Sequence, residues 1–220
     1  MIMQQVRLGG LVRQVWKGRT VVRSFFNETM HSVRVHGDVI DVGSGPRPYY
    51  QDFFVQAQGT TFHSMDQKLG DRTDFEKDAL PFEDKKFDMV LSMNVLEHIY
   101  NHMHILREMV RILKPGGELV MFVPFFVIYH PEPGYSLDCF RYTKDALTRM
   151  TAEAGLKQVR IEEVGMAMFT VSANFILQSM PRVLRPLFFV PAFLLDTLLL
   201  TFKHKYREQF PLGYMVYATK

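Results

Sequence analysis

The residues best suited to chemistry fall into three short groups. In V-I-D-V-G-S-G, 39–45, an apolar run ends on Asp41 and turns on Gly43 and Gly45. Glycine accepts positive φ and lets a ligand approach the backbone closely. A second acid, Asp66, closes T-T-F-H-S-M-D (60–66). The third group is histidine-bearing: His98 in L-E-H-I, and His130 in F-V-I-Y-H-P-E-P-G-Y-S-L-D-C-F-R-Y-T (126–143). Imidazole is the side chain able to take a proton near neutral pH. The histidine stretch also offers Tyr135, Asp138, Arg141 and Tyr142, a set able to bind a polar molecule.

These groups need a scaffold, and strand and helix patterns alternate around them. D-V-I-D-V-G (38–43), 60–66, F-D-M-V-L-S-M-N (87–94) and E-L-V-M-F-V-P (118–124) read as strands. P-Y-Y-Q-D-F-F-V-Q-A-Q (48–58) reads as a helix stopped by Gly59. Ile99, Met103, Leu106, Val110 and Leu113 share one face of a helix of about fourteen residues that starts near His98. Thr143 can cap another helix, with Leu147, Met150 and Ala154 inward and Gly155 at its end. L-K-Q-V-R-I-E-E-V-G (156–165) and G-Y-M-V-Y-A-T (213–219) complete the strands. Alternation of this kind predicts an α/β fold with a mostly parallel sheet and helices on both faces. Ligands of such sheets bind beyond the C-terminal ends of the strands, where the glycine turn falls.

The glycine turn does not suit a dinucleotide or a P-loop. A third fingerprint glycine would stand at 48, which is Pro48, and no Gly-Lys-Ser/Thr ending exists. An acid two residues before Gly43 fits a cationic or amino-bearing ligand better than a polyphosphate.

D-x-G-x-G at 41–45 resembles motif I of the class I S-adenosylmethionine (SAM) methyltransferases, although Arg47 stands where that family often has a third glycine. D-A-L-P-F-E-D-K-K-F-D-M-V-L-S-M-N-V-L-E-H-I (78–99) and L-K-P-G-G-E-L-V-M-F-V-P (113–124) are similar to the methyltransferase type 11 subgroup. The resemblance spans about 36–165 and the last strand. It implies a Rossmann-like sheet of about seven strands, the last antiparallel, and SAM as cofactor. It also implies roles: Asp41, Gly43, Ser44 and Gly45 near the methionine moiety, Asp66 at the ribose, and Gln67 among the other cofactor contacts. Asp78 and Ala79 would lie beside adenine, and Asn94 and Val95 at the methyl end. A carboxylate accepts both hydrogen bonds of a ribose diol, which suits Asp66. His98 and His130 are then candidate bases, and Tyr135, Asp138, Arg141 and Tyr142 candidate acceptor contacts.

The resulting expectation is a methyltransferase acting on a small or medium acceptor, with O-methylation of a saccharide, lipid-linked glycan or secondary metabolite as the favoured chemistry. The alternative is a non-catalytic SAM-fold regulatory or membrane-surface binding protein. No metal is expected: His98 and His102 are four apart, but His104 points elsewhere on a regular helix and no cysteine is near.

Composition sets the remaining bounds. The chain has 220 residues, 47% hydrophobic and 22% charged, with net charge +3, too little to imply nucleic acid. Cys139 is the only cysteine, which points to a reducing, cytoplasmic setting. M-I-M-Q-Q-V-R-L-G-G has no apolar core, so no signal peptide is expected. Four segments follow: a basic amphipathic helical entry (1–36) with a break near Gly18, the SAM-binding core (37–167), an apolar helical insertion (168–211) and a final strand (212–220). The insertion, with the entry segment, is expected to wall the acceptor pocket. Its stretch 186–202 fits a buried helix or homodimer interface, a membrane-surface helix flanked by Arg182, Arg185, Lys203, Lys205 and Arg207, or a spanning helix interrupted by Asp196.

Overall fold

The computed structural model describes residues 6–44, 48–66, 73–131 and 136–220. The chain forms two compact units. One holds Arg34–Pro124, Tyr129–Glu162 and Tyr214–Lys220; the other holds Met1–Val33, Phe125–Ile128 and Glu163–Gly213.

In the sheet unit, β1 (Arg34–Val35) pairs with β3 (Val55–Gln56), both short and parallel. The main sheet contains β2 (Asp38–Val42), β4 (Thr61–Met65), β5 (Phe87–Met93), β6 (Leu113–Pro124), β7 (Lys157–Val164) and β8 (Gly213–Thr219). Their order is β4-β2-β5-β6-β8-β7, so the main sheet has six strands. β2 runs parallel to β4 and β5, and β5 parallel to β6. Hydrogen bonds from Gly116 N to Lys220 O and from Phe125 N to Leu212 O join opposite ends of β6 and β8. β8 is therefore antiparallel. Val39, Ile40 and Val42 of β2 and nearly all of β5 are buried, as expected of strands covered on both faces.

Two elements depart from the sequence reading. Residues 48–58 are not a helix: 49–53 form turns with i→i−3 bonds (Gln51 N to Pro48 O, Phe53 N to Tyr50 O) before β3. Aromatic and β-branched residues have modest helix propensity, and the Tyr50 hydroxyl is held by Asp41 Oδ2 at 2.6 Å. The helix after β5 begins later than expected. Leu96–His98 is a single 3-10 turn, and α3 runs His102–Ile112. Glu76 takes the amides of Tyr100 and Asn101 at 2.7 and 2.6 Å, satisfying orphan donors at the α3 entrance. α3 buries Ile105, Leu106, Met109 and Val110 on one face. Residues 113–117 then join β6 rather than forming a separate turn. Gly117 is required there, because a Cβ would sit 2.9 Å from Lys114 O and 3.0 Å from Asp88 O. Thr143 caps α4 (Lys144–Glu153) by accepting from Ala146 N at 3.2 Å.

The helical unit contains α1 (Leu8–Trp16) and α2 (Val21–Met30), broken at Gly18 with φ +84°. α5 (Met168–Ile176), α6 (Arg185–Phe202) and α7 (Tyr206–Gln209) follow. α6 packs on α5 and α1. Asp196, a misfit in an apolar run, is buried, and its carboxylate accepts from the amides of Ala167, Phe169 and Thr170 at 3.1, 3.0 and 2.7 Å. It supplies an anion to the start of α5, where unpaired amides and the helix dipole favour one. Among the described residues, the expected burial of 186–202 extends to Phe189 and Asp196 of α6 and leaves the rest of the helix partly or fully exposed.

Candidate active site

A cavity of about 740 Å³ opens in the sheet unit and is lined by residues from the C-terminal ends of β2, β4 and β5. Gly43, Ser44, Asp66, Asn94, Val95, His98 and His130 line it. Every described lining residue belongs to the sheet unit, none to 168–211. Asp41, Asp78 and Ala79 are not among them; Gly45, Gln67 and Tyr135 lie outside the described residues. Asp138, Arg141 and Tyr142 stand behind the lining, not on it.

Gly43 shows why glycine follows the strand. Its φ is +84°, and a Cβ would lie 2.5 Å from Val95 Cγ2. The turn thus packs directly on the start of the loop after β5. Asn94 also adopts positive φ, 58°, and donates from Nδ2 to the Tyr49 hydroxyl at 3.1 Å. Asp41, at 0% exposure, lies beneath Tyr50 rather than on the wall. Burial pushes its carboxyl up to about 7, against the opposing Tyr50 hydrogen bond, and nearby Asp66 adds repulsion. Asp66 is the strand-end acid that reaches the cavity while staying 4% exposed.

The histidine end is built by a loop folding back. Cys139 N and Phe140 N bond Glu97 O at 2.8 and 3.2 Å, tying the loop after β6 to the 3-10 turn. The Tyr142 hydroxyl donates to Leu96 O at 2.9 Å, and burial holds its phenol protonated. Arg141 grips Asp138 through both terminal nitrogens, at 2.5 and 2.7 Å, and holds its carboxyl down to about 2. Asp138 in turn accepts from His130 N at 2.8 Å and faces His130 Nδ1 at 3.3 Å. Arg141 and Asp138 therefore position His130.

His98 Nδ1 lies 2.5 Å from Leu137 O. A carbonyl can only accept, so Nδ1 carries the proton and Nε2 presents a lone pair. Burial, the largest influence, lowers the His98 pKa from 6.5 and keeps the ring neutral. Its Nε2 stands 3.7 Å from Glu97 Oε1, and the His98 and His130 rings meet edge to face at 5.2 Å. Glu97 is buried with neither carboxylate oxygen hydrogen-bonded, and burial raises its pKa to about 8. One ligand atom each from Glu97, His98 and His130 lies within 4.8 Å of the others, a group able to hold a cation. His102 and His104, near His98 in sequence, stand outside this group. His102 instead packs on Phe140 and Tyr142, and His104 Nε2 meets Asp78 O. Glu97 and the lining residues Tyr49, Tyr50, Phe75 and Glu76 carry no spacing signal that would have singled them out.

The geometry fits SAM on its own terms. Gly43 lines it at positive φ, a buried carboxylate able to accept from a diol stands on the wall, and the volume is that of a small-ligand pocket.

Comparison with known proteins agrees. A methyltransferase-domain family model matches residues 55–121. An uncharacterized methyltransferase of Mycobacterium sp. (strain JLS) is 28% identical over 153 residues, 69% of this chain and 52% of that protein. The chain thus spans about half the length of that relative. Tocopherol O-methyltransferase of Arabidopsis thaliana is 39% identical over 70 residues, 30% of this chain and 20% of that protein. A SAM-dependent methyltransferase structure from Thermotoga maritima, a possible histamine N-methyltransferase, superposes with TM-score 0.51 at 12% identity, covering 97% of this chain and 100% of that one. That last likeness speaks for fold alone. Over 55–121 the chain thus carries a methyltransferase-domain match, and its fold is that of a SAM-dependent methyltransferase structure.

Proposed function

We propose that this chain binds SAM in the cavity and methylates a hydroxyl of a small or medium acceptor: a saccharide, a lipid-linked glycan or a secondary metabolite. One observation carries the reading. A single cavity has a carboxylate suited to a ribose diol, Asp66, on its wall and a neutral imidazole with an available lone pair, His98, among its other lining residues. The relative that is a tocopherol O-methyltransferase supports oxygen as the acceptor atom.

When bound, SAM supplies an electrophilic methyl on a sulfonium. The protein holds the cofactor, aligns the acceptor and takes one proton. Asp66 accepts the two ribose hydroxyls, and backbone at Gly43 and Ser44 receives the rest of the cofactor closely. Alignment is the larger contribution, about 7–11 kcal/mol of barrier in well-oriented systems. His98 Nε2 accepts the acceptor's hydroxyl proton, and Leu137 O fixes the tautomer that makes this possible. His130, held by Asp138 and Arg141, orients the acceptor beside it.

Calorimetry tests the first half. The chain should bind SAM and its demethylated product, and Asp66→Ala should weaken both by about 10²–10⁴-fold, since two charge-assisted bonds at about 1.5–3 kcal/mol each are lost. Unchanged affinity would show that Asp66 does not hold the ribose. An acceptor screen with a hydroxyl panel tests the second half. Turnover that survives dialysis against a chelator supports proton acceptance by His98; turnover lost to the chelator and restored by a divalent cation assigns the Glu97, His98 and His130 group to a metal instead.

A further inference from the structure

α6 carries a second apolar face that no described residue covers. Inward, Phe189 and Asp196 are buried in the helical unit. Outward, Leu187, Phe188, Leu194, Leu195, Leu198 and Phe202 are between 46% (Leu195) and 78% (Phe202) exposed. Leu187, Leu194, Leu198 and Phe202 follow one another at seven, four and four residues, with Phe188 and Leu195 beside them, the spacing of one helical stripe. A soluble helix normally turns polar residues to this side; here the outward stripe is as apolar as the inward one. Lone exposed leucines need no explanation, but a contiguous row of large ones does.

Basic residues bracket the stripe. Arg182 precedes it, and Lys203, His204 and Lys205 follow it, all exposed. We infer that the outward face of α6 lies in the headgroup region of an anionic membrane, parallel to the surface, with its leucines and Phe202 among the acyl chains and the flanking cations on lipid phosphates.

Three features favour this occupant. An apolar helix face with cations at its edges is the chemistry of an interfacial helix on anionic lipid. A second copy of the chain fits less well. Antiparallel pairing of two stripes would bring Arg182 of each copy against the lysines of the other, with no exposed acid on either stripe to separate them. A spanning orientation is opposed by Asp196. The segment Arg182–Phe202 is long and apolar enough to cross by length and composition. Crossing would strip its mid-helix carboxylate from the amides of Ala167, Phe169 and Thr170 and leave it in hydrocarbon.

Vesicle co-sedimentation of the full chain tests the inference, independently of methyl transfer. The protein should pellet with phosphatidylcholine vesicles containing phosphatidylglycerol, remain largely in solution with phosphatidylcholine alone, and lose binding as salt rises. Lys203→Ala with Lys205→Ala should weaken binding roughly 30-fold, as expected for two lost surface cations. Leu194→Glu with Leu198→Glu should abolish it. These positions are exposed, so far-UV circular dichroism and SAM titration should match the parent. The inference is overturned by failure to pellet with anionic vesicles at low salt, or by retained binding in the leucine variant. A concentration-dependent dimer lost in the leucine variant, with no vesicle binding, would assign the stripe to a second copy. Resistance of bound protein to alkaline carbonate would assign it to a spanning helix.

Discussion

Replacing Asp41 by asparagine should stabilise the protein in a pH-dependent manner. Asp41 is fully buried near the C-terminal end of β2, with Oδ1 unpartnered and Oδ2 held by the Tyr50 hydroxyl. Its carboxyl, ordinarily at 3.8, is raised to about 7, first by burial. Between those values the unfolded chain has released the proton and the folded chain has kept it. Stability therefore falls as pH rises through this window, approaching about 1.36 kcal/mol per pH unit, and levels off above it. Across the window the loss is about 4 kcal/mol, a large share of a typical folding free energy. The carboxamide of the Asp41→Asn variant has nothing to ionise and can still accept from Tyr50. Urea unfolding of parent and variant, without cofactor, at about pH 4 and about pH 8 measures the effect. The two should nearly coincide at the lower pH, and the variant should be more stable by up to about 4 kcal/mol at the higher. Equal midpoints at both values, or a gap that narrows with rising pH, would refute the claim that burial holds this carboxyl neutral.

Three further outcomes follow from the geometry. His98→Asn should lower kcat by about 10²–10⁴-fold while leaving SAM affinity unchanged, and the acid limb of the parent's rate profile should lie below pH 6.5, the ordinary value that burial depresses. Gly43→Ala places a Cβ at positive φ against Val95 and should cost about 1–3 kcal/mol of stability, read from the urea midpoint, together with SAM affinity. Asp196→Ala strands three amides at the start of α5; at about 1–3 kcal/mol each it should destabilise the helical unit by at least about 3 kcal/mol and raise hydrogen exchange at residues 167–170.

Much of the sheet was readable because buried parallel strands leave near-continuous apolar runs, and β2, β5 and the body of β6 are mostly apolar. Thr143 and Gly155 marked the ends of α4 for equally local reasons. What escaped was decided at a distance. Residues 48–58 have the apolar density of a helix, yet Tyr50 is drawn inward by an acid nine positions earlier. The convergence of Glu97, His98 and His130 depends on a loop more than thirty residues away returning to bond Glu97 O, which no spacing rule contains. α6 was legible as an apolar helix, but period alone does not say which of two apolar faces meets protein. Asp196 resolves that, and its role depends on α5 amides some thirty positions upstream.

The successive tyrosines at 49 and 50 have a mechanical consequence. One phenol is fastened to β2 through Asp41, and its neighbour to the residue following β5 through Asn94. Adjacent links of a chain cannot drift apart, so these strand ends are laced to each other across the pocket mouth. Anything that pries Asn94 outward must also tug on the ring that roofs Asp41. Entry of a bulky guest would then be felt at a buried carboxyl it never touches.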